Sequence, residues 1–367
     1  MNILFVTDYY YPHIGGVEKL FEQLTTRLAA GGHQITYVTW RYEKSLSKFE
    51  NHRGVNIIRV KAPGRVLFPL WAFVSIVRHA RKADLIHTST YSSAIGVWLA
   101  SLFVWRKTIV TVHEVWGKLW NDLPFLSKTE KCLFRIFESG MLALNFSHYI
   151  AVSDSTRMAL LKRGINASKV RRIYNGIDEK LPQWKEPAEP FTFAFFGRVG
   201  VSKGLDLLVR AAQTVAAENP GICFKFIVSP QDERVLQWLK NEITTSNLKE
   251  ITELFQGIPY EQLLNEILHS HCVVIPSYSE GFGFSAAEAS AIGIPIISSC
   301  RGALSEVVSG KLVEMEEFSV SGLVEAMKKV MRNEYAEIPY RAFTIEAFVN
   351  QHKKLYLDIL TPERKRD

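Results

Sequence analysis

The segment from Val273 to Glu288 reads V-V-I-P-S-Y-S-E-G-F-G-F-S-A-A-E. A short apolar run passes into a loop containing Gly281 and Gly283 and then into a helix of small residues. The backbone N–H groups of Phe282, Gly283, Phe284 and Ser285 are thereby offered to an anion such as a phosphate, at the positive end of a helix. Glu280 lies in the loop and Glu288 about one turn into the helix. Acids touching a bound anion would repel it, so these two suit the hydroxyl groups of a sugar instead. A helix N-terminus that merely prefers acidic residues accounts for either glutamate but not for the whole loop. A second such place is Phe193-Ala194-Phe195-Phe196-Gly197-Arg198, followed by Lys203-Gly204. Two cations in one strand-to-helix loop make a clamp suited to a diphosphate, the alternative being a solvated basic turn. The pair Gly15-Gly16, between the run Ile3–Val6 and a helical stretch from Val17 to Leu28, either admits an anion or supplies a turn with positive φ. His113 follows the run Thr108–Val112 and is either a site imidazole or a hydrogen-bonded structural residue.

Each of these residues comes directly after an apolar run, and in a parallel sheet the carboxyl ends of the strands are where ligands bind. Such runs alternate with helical periodicity at 3–6, 35–39, 56–60, 84–87, 108–112, 148–152 and 170–173. A proline-rich stretch follows, D-E-K-L-P-Q-W-K-E-P-A-E-P over 178–190. A second cycle begins at 191–196 and continues at 222–228, 253–256, 272–275 and 294–298, with only helical periodicity after about 318 and a charged tail, Glu363 to Asp367. The expectation is an α/β chain of two Rossmann-like doubly wound domains facing a cleft. Residues 1–177 form the first, 178–190 a linker, 191–337 the second, and 338–367 a C-terminal helical segment crossing back to the first. A length of 367 residues suits two such cores.

Composition is that of a globular protein, 47% hydrophobic and 22% charged. The net charge of +7 is unevenly spread: residues 1–190 hold 26 Lys and Arg against 15 Asp and Glu, a net of +11, and the rest hold 18 against 22, a net of −4. A basic first half draws polyanions or an anionic bilayer. No nucleic-acid recognition module is present, which sets nucleic acid aside. The four cysteines, Cys132, Cys223, Cys272 and Cys300, form no C-x-x-C pair and read as buried apolar side chains rather than disulfides or metal ligands. The chain opens on a strand without a basic leader, and its longest apolar run, Val66 to Val77, is too short to span a bilayer. A cytoplasmic location is expected.

Taken together these residues resemble the retaining GT-B glycosyltransferases of family 4, the glycosyl transferases of group 1. The resemblance rests on Gly15-Gly16, His113, Asn175-Gly176-Ile177-Asp178, Gly197-Arg198 with Lys203-Gly204, Gln256-Gly257-Ile258-Pro259, and Glu280 spaced eight from Glu288 with Gly293-Ile294-Pro295 behind. It covers nearly the whole chain. It implies a hexosyl-transferring enzyme that binds a nucleotide diphosphate sugar mainly through its second domain and retains the anomeric configuration. Arg198 and Lys203 would hold the diphosphate, Glu288 the ribose, and Glu280 the transferred sugar, which His113 would also reach. Gly15, Gly16, Ile258 and the loop from Gly281 to Ser285 would complete the donor site. The chain departs from the family pattern at Ser229-Pro230-Gln231, and the stretch Arg301 to Val313 looks trimmed. An Asp-x-Asp pair, through which many transferases of another fold hold a metal, does not occur in the sequence. Neither metal nor cofactor is expected, the cations and helix amides meeting the charge on the leaving group. A GT-B-like UDP-sugar epimerase and a catalytically silent nucleotide-sugar-binding protein share these features and are the alternatives.

The acceptor is addressed only by the basic half. From Gly64 to Lys82 an apolar aromatic stretch with Trp71 ends in Arg78, Arg81 and Lys82, and Trp98 to Lys107 repeats the pattern. Both segments are either core helices or a contact with the anionic inner face of a membrane. The second choice, favoured by the company of +11, implies peripheral membrane association and a lipid-linked or membrane-presented acceptor, a soluble sugar being the other possibility.

Overall fold

The computed structural model describes residues 1–13, 15–90, 92–178, 180–229 and 231–361. Glu179, Pro230 and the charged tail from Glu363 therefore lie outside the described residues. The chain divides into two compact units. The first holds Met1–Gly117, Leu133–Gly176 and the chain from Phe343 onward, and the second holds Lys118–Cys132 and Ile177–Ala342.

The first unit is built on β1 (Asn2–Val6), β2 (Gln34–Trp40), β3 (Phe49–His52), β4 (Val55–Val60), β5 (Leu85–Ser89), β6 (Lys107–Val112), β7 (His148–Ala151) and β8 (Val170–Arg172). Their order is β3-β4-β2-β1-β5-β6-β7-β8, parallel throughout except for β3 against β4. Between them run α1 (Gly16–Ala30), α2 (Phe68–Ala80), α3 (Ser92–Val104), α4 (Lys128–Leu142) and α5 (Asp154–Lys162). Strand residues alternate across the pleat. Leu4, Val6, Ile86 and Val110 share a core with α2, α3, the end of α4 and α5. Phe5, His87 and Thr111 face the other way, where Phe21 of α1 packs against Phe5 and His87.

The second unit carries β9 (Thr192–Arg198), β10 (Cys223–Ser229), β11 (Thr252–Gln256), β12 (Cys272–Ile275), β13 (Ile296–Ser298), β14 (Gly310–Glu314) and β15 (Ala336–Ile338), in the order β11-β10-β9-β12-β13-β14-β15. Only β15 runs antiparallel to its neighbour among these pairings. Its helices are α6 (Leu205–Glu218), α7 (Glu233–Thr245), α8 (Tyr260–Leu268), α9 (Phe284–Ile292), α10 (Leu304–Val307) and α11 (Val320–Met331). The stretch 178–190 packs on this unit: the backbone N–H of Trp184 donates to Ile292 O at 2.8 Å and its indole to Ser270 O at 2.8 Å.

A last helix, α12 (Ile345–Leu360), belongs to the first unit. It packs against α1 and buries Phe348, His352, Leu355, Tyr356 and Ile359. The Tyr356 hydroxyl meets His87 Nδ1 on β5 at 2.6 Å, and Thr111 Oγ1 holds the other ring nitrogen at 2.8 Å. Gly176 admits the start of α12, since a Cβ there would lie 2.6 Å from Ile345 Cα.

Three expectations are corrected. The chain after 318 is not purely helical, because β15 adds an antiparallel edge strand, just as β3 does in the first unit. The stretch from Arg301, read as trimmed, contains α10 and opens β14. Cysteines are not uniformly buried: Cys272 is, Cys223 and Cys300 are half-buried, and Cys132 is exposed on α4.

Candidate functional site

In the second sheet the strand order reverses between β9 and β12, so the carboxyl ends of these two neighbours open a crevice suited to a ligand. Arg198 ends β9, exposed, with Nη1 donating to Gln231 Oε1 at 3.3 Å. Lys203 stands in the turn before α6. Gly204 closes that turn at φ +67°, and a Cβ there would lie 2.0 Å from the Pro276 carbonyl oxygen, so only glycine lets the two loops touch. That approach brings Lys203 Nζ to 2.6 Å from Glu280 Oε1. Ser277 Oγ donates to the same oxygen at 2.8 Å, and Ser299 Oγ donates to Ser277 O at 2.7 Å. The Glu280 carbonyl accepts from Ala303 N at 2.8 Å. Glu280 is thus fixed through both backbone and side chain. Lys203 and Glu280, expected to act on different parts of a ligand, are partners of each other.

α9 begins beyond Gly281 and Phe282, both buried, and its N-cap Gly283 is left-handed with no side-chain cap. The amides of Phe284 and Ser285 therefore keep the donor capacity of an uncapped first turn. Ser285 Oγ donates to Phe196 O at 2.9 Å, which ties this turn to the end of β9. One turn on, Glu288 Oε1 accepts from the Tyr260 hydroxyl at 3.0 Å. Burial first, then the Glu288 charge and hydrogen bond and the Asp178 charge, hold the Tyr260 phenol protonated well above its ordinary range. Tyr260 opens α8 directly after half-buried Ile258 and Pro259. Arg198, Lys203, Ile258, Glu280, the loop from Gly281 to Ser285, and Glu288 thus lie on the segments that follow β9, β11 and β12. Tyr260, Ser277, Ser299 and Gln231 were not singled out from the sequence. Ser277 had a signal in its place beside Pro276, while the others offered none beyond their type.

Gly15, Gly16 and His113 belong to the first unit. Gly15 is extended at φ −170° and Gly16 is the first residue of α1, so neither glycine serves a turn of positive φ. His113 is half-buried and its Nε2 meets Ser89 Oγ, at the end of β5, at 2.8 Å. Around this carboxyl edge stand residues the sequence did not mark. Asp8 is buried, with Oδ1 accepting from Ser93 N at 2.9 Å and Oδ2 from Arg65 Nε at 2.8 Å. Tyr9 stacks on His13 at 4.1 Å, with Trp40 at 5.5 Å and Tyr42 at 5.6 Å. Trp71 and Arg78 are exposed on α2, and Arg81 and Lys82 are exposed just beyond it.

Residues 14–181 match Glycosyltransferase Family 4 and residues 176–347 match Glycosyl transferases group 1. The chain is 22% identical over 378 aligned positions to the phosphatidylinositol N-acetylglucosaminyltransferase GPI3 subunit of Saccharomyces cerevisiae, covering 97% of this chain and 79% of that one. It is 23% identical to a human phosphatidylinositol N-acetylglucosaminyltransferase, over 90% and 68% of the two sequences. Among solved structures, sucrose-phosphate synthase from Thermosynechococcus elongatus superposes with a TM-score of 0.81 at 21% identity, covering 98% of each chain. HepE of Anabaena, in complex with UDP-glucose, does so with 0.72 at 18% identity, over 97% and 99%. With both units matched in sequence and the two-sheet architecture matched in space, the chain belongs to the family 4, group 1 glycosyltransferases of GT-B fold.

Proposed function

We propose that this glycosyltransferase takes a sugar from a nucleoside diphosphate donor held at the β9/β12 crevice and passes it, with retention and without a metal, to a lipid-linked or membrane-presented acceptor. The observation that carries the donor reading is the convergence of Arg198, Lys203 and the uncapped start of α9 at one switch point, with Glu280 held against Lys203 at 2.6 Å. Two cations and helix amides preorganised at a leaving diphosphate stabilise its developing charge as a metal ion would elsewhere. Among the described residues no three His, Cys, Asp or Glu side chains gather where a metal could bind. Glu280 orients the sugar hydroxyls and Glu288 with Tyr260 receives the ribose, while the family resemblance assigns His113 to the transferred sugar as well. The acceptor hydroxyl attacks on the face from which the diphosphate leaves, and that group takes the proton. No side chain is assigned as a covalent nucleophile.

The acceptor reading draws on the exposed Trp71, Arg78, Arg81 and Lys82 and on relatives named for phosphatidylinositol glycosylation. No helix among the described residues is long and apolar enough to cross a membrane, so the contact proposed is peripheral. The test is a panel of nucleotide sugars followed by nucleoside diphosphate release, with and without lipid extract. Release that rises with lipid, and a glycosylated lipid product, is the expected result. Donor isomerisation without release would point to an epimerase, and binding without turnover would remove the transferase assignment from this chain.

A further inference from the structure

α4 is amphipathic in the inverted sense. Its buried residues are Glu138, Met141 and Leu142. The Glu138 carboxylate accepts from the backbone N–H groups of Trp116 at 2.7 Å and Gly117 at 2.8 Å, and from Arg163 Nη2 at 3.2 Å. The apolar stripe that a globular helix turns to its core, here Leu133, Ile136 and Phe137 at i, i+3 and i+4, faces outward, with Leu133 64% and Ile136 62% exposed. A stripe of this kind left in water indicates a surface that something apolar covers.

The place of α4 in the fold says what covers it. Right-handed crossovers between parallel strands put α2, α3 and α4 on one face of the first sheet. One core beneath them joins Phe68 and Ala72 of α2, Val97 of α3, and Met141 and Leu142 of α4. Their outer sides therefore look the same way, and those of α2 and α3 are also apolar: Trp71, Val74, Phe103 and the following Trp105 are all exposed. The charge on this layer has one sign. From Lys61 to His113 the sequence holds seven Lys and Arg and a single acid, Asp84, which accepts from Asn2 N at 2.7 Å. On α4, Lys128, Lys131 and Arg135 accompany the stripe, while Glu130 pairs with Arg234 at 3.1 Å and Glu138 is buried. Apolar side chains fringed by cations, with the nearby acids paired or buried, complement the headgroup region of an anionic bilayer.

We infer that α4 is a second bilayer-contact helix, its Leu133, Ile136 and Phe137 entering the anionic headgroup boundary alongside α2 and α3. This rests on the membrane contact proposed for α2 and adds a separate surface to it. The test uses Cys132, the exposed thiol one residue before the stripe, labelled with a bimane after Cys223→Ser and Cys300→Ser replacement. Vesicles of phosphatidylcholine with phosphatidylserine, carrying a doxyl quencher in the acyl chain, should quench the label, and phosphatidylcholine alone should not. A parallel protein, with Cys132→Ser and the label at Arg78→Cys on α2, reports the first surface. Quenching on α2 without quenching at Cys132 overturns the α4 contact and leaves the membrane reading standing. Quenching at neither position removes both. The triple change Leu133→Gln, Ile136→Gln, Phe137→Gln should lower partitioning onto the anionic vesicles by about tenfold. A dimer in lipid-free sedimentation that Phe137→Gln dissociates would give the stripe to a second copy of the chain and overturn the inference.

Discussion

Replacing Glu280 by Gln keeps the size of the side chain and its acceptor oxygen for Ser277 but removes the charge held 2.6 Å from Lys203. At an effective dielectric of about 20 that separation corresponds to roughly 6 kcal/mol of bare attraction. The two side chains are 19% and 11% exposed, and desolvation offsets most of the attraction, leaving a net on the order of 1 kcal/mol. A diphosphate reaching Lys203 competes with Glu280 for the ammonium, so removing the competitor should lower Kd for the free nucleoside diphosphate roughly tenfold. The transferred sugar loses its anchor at the same time, and kcat should fall by roughly a hundredfold, the scale of a small misplacement of reacting groups. Affinity and turnover therefore move in opposite directions. Calorimetry with the free nucleotide and steady-state rates on the same preparation read both, with thermal melting to show that the fold is intact. Unchanged or weaker nucleotide binding by a folded Glu280→Gln protein refutes the placement of Lys203 at the diphosphate.

Arg198→Ala should cost about 3 kcal/mol of transition-state stabilisation, a hundredfold or more in kcat, and an unchanged rate would take Arg198 out of the site. Activity should survive excess EDTA, and loss restored by Mg²⁺ or Mn²⁺ would show that a metal takes part. Glu288→Ala should weaken both free nucleotide and donor. Tyr260→Phe should do so more mildly, by about 1 kcal/mol with kcat unchanged, because it removes one hydrogen bond from a ribose ligand; an effect on kcat alone would contradict that role. Acid should destabilise the first unit through its buried histidines. Burial holds His87 well below its ordinary range and His352 at about 4. Both stay neutral in the fold while the unfolded chain takes up protons below about pH 6.5, so stability is complete above that pH and declines as pH falls. His352 alone accounts for about 3 kcal/mol lost between about pH 6.5 and its folded value. Urea titrations across that range measure it, and a His352→Gln protein that loses stability as steeply would refute the assignment.

The alternation of apolar runs and helices was legible because strands buried on both faces, such as Cys272-Val273-Val274-Ile275, read as continuous apolar segments. The edge strands were not. Phe49-Glu50-Asn51-His52 and Ala336-Glu337-Ile338 carry polar residues at the sheet margin and are defined by their antiparallel partners, which lie elsewhere in the sequence. The site loops were legible as motifs, whereas their pairings were not, since Lys203 and Glu280 stand 77 positions apart and Tyr260 and Glu288 28 apart. α4 shows the converse failure. Its periodicity is plain, yet period identifies a stripe without saying whether core or surroundings cover it, and Cys132 beside that stripe was accordingly read as buried. The sequence reading of Gly15-Gly16 as a turn of positive φ failed for a related reason, because a glycine at a helix start can also be extended.

The return of α12 to the first unit sets the order in which the protein is completed during synthesis. β1 leaves the ribosome first, but the Tyr356 hydroxyl that His87 needs comes some 269 residues after it, roughly tens of seconds later at ordinary elongation rates. Through that interval the face of β5 and α1 that α12 covers, with Phe21 and His87, has no lid, while the segments of the second unit emerge and find each other. The unit translated first is the one finished last. A fragment ending near Gly176 is accordingly an open half-core rather than a domain, and an isolated first unit calls for residues 1–176 joined to 343–361.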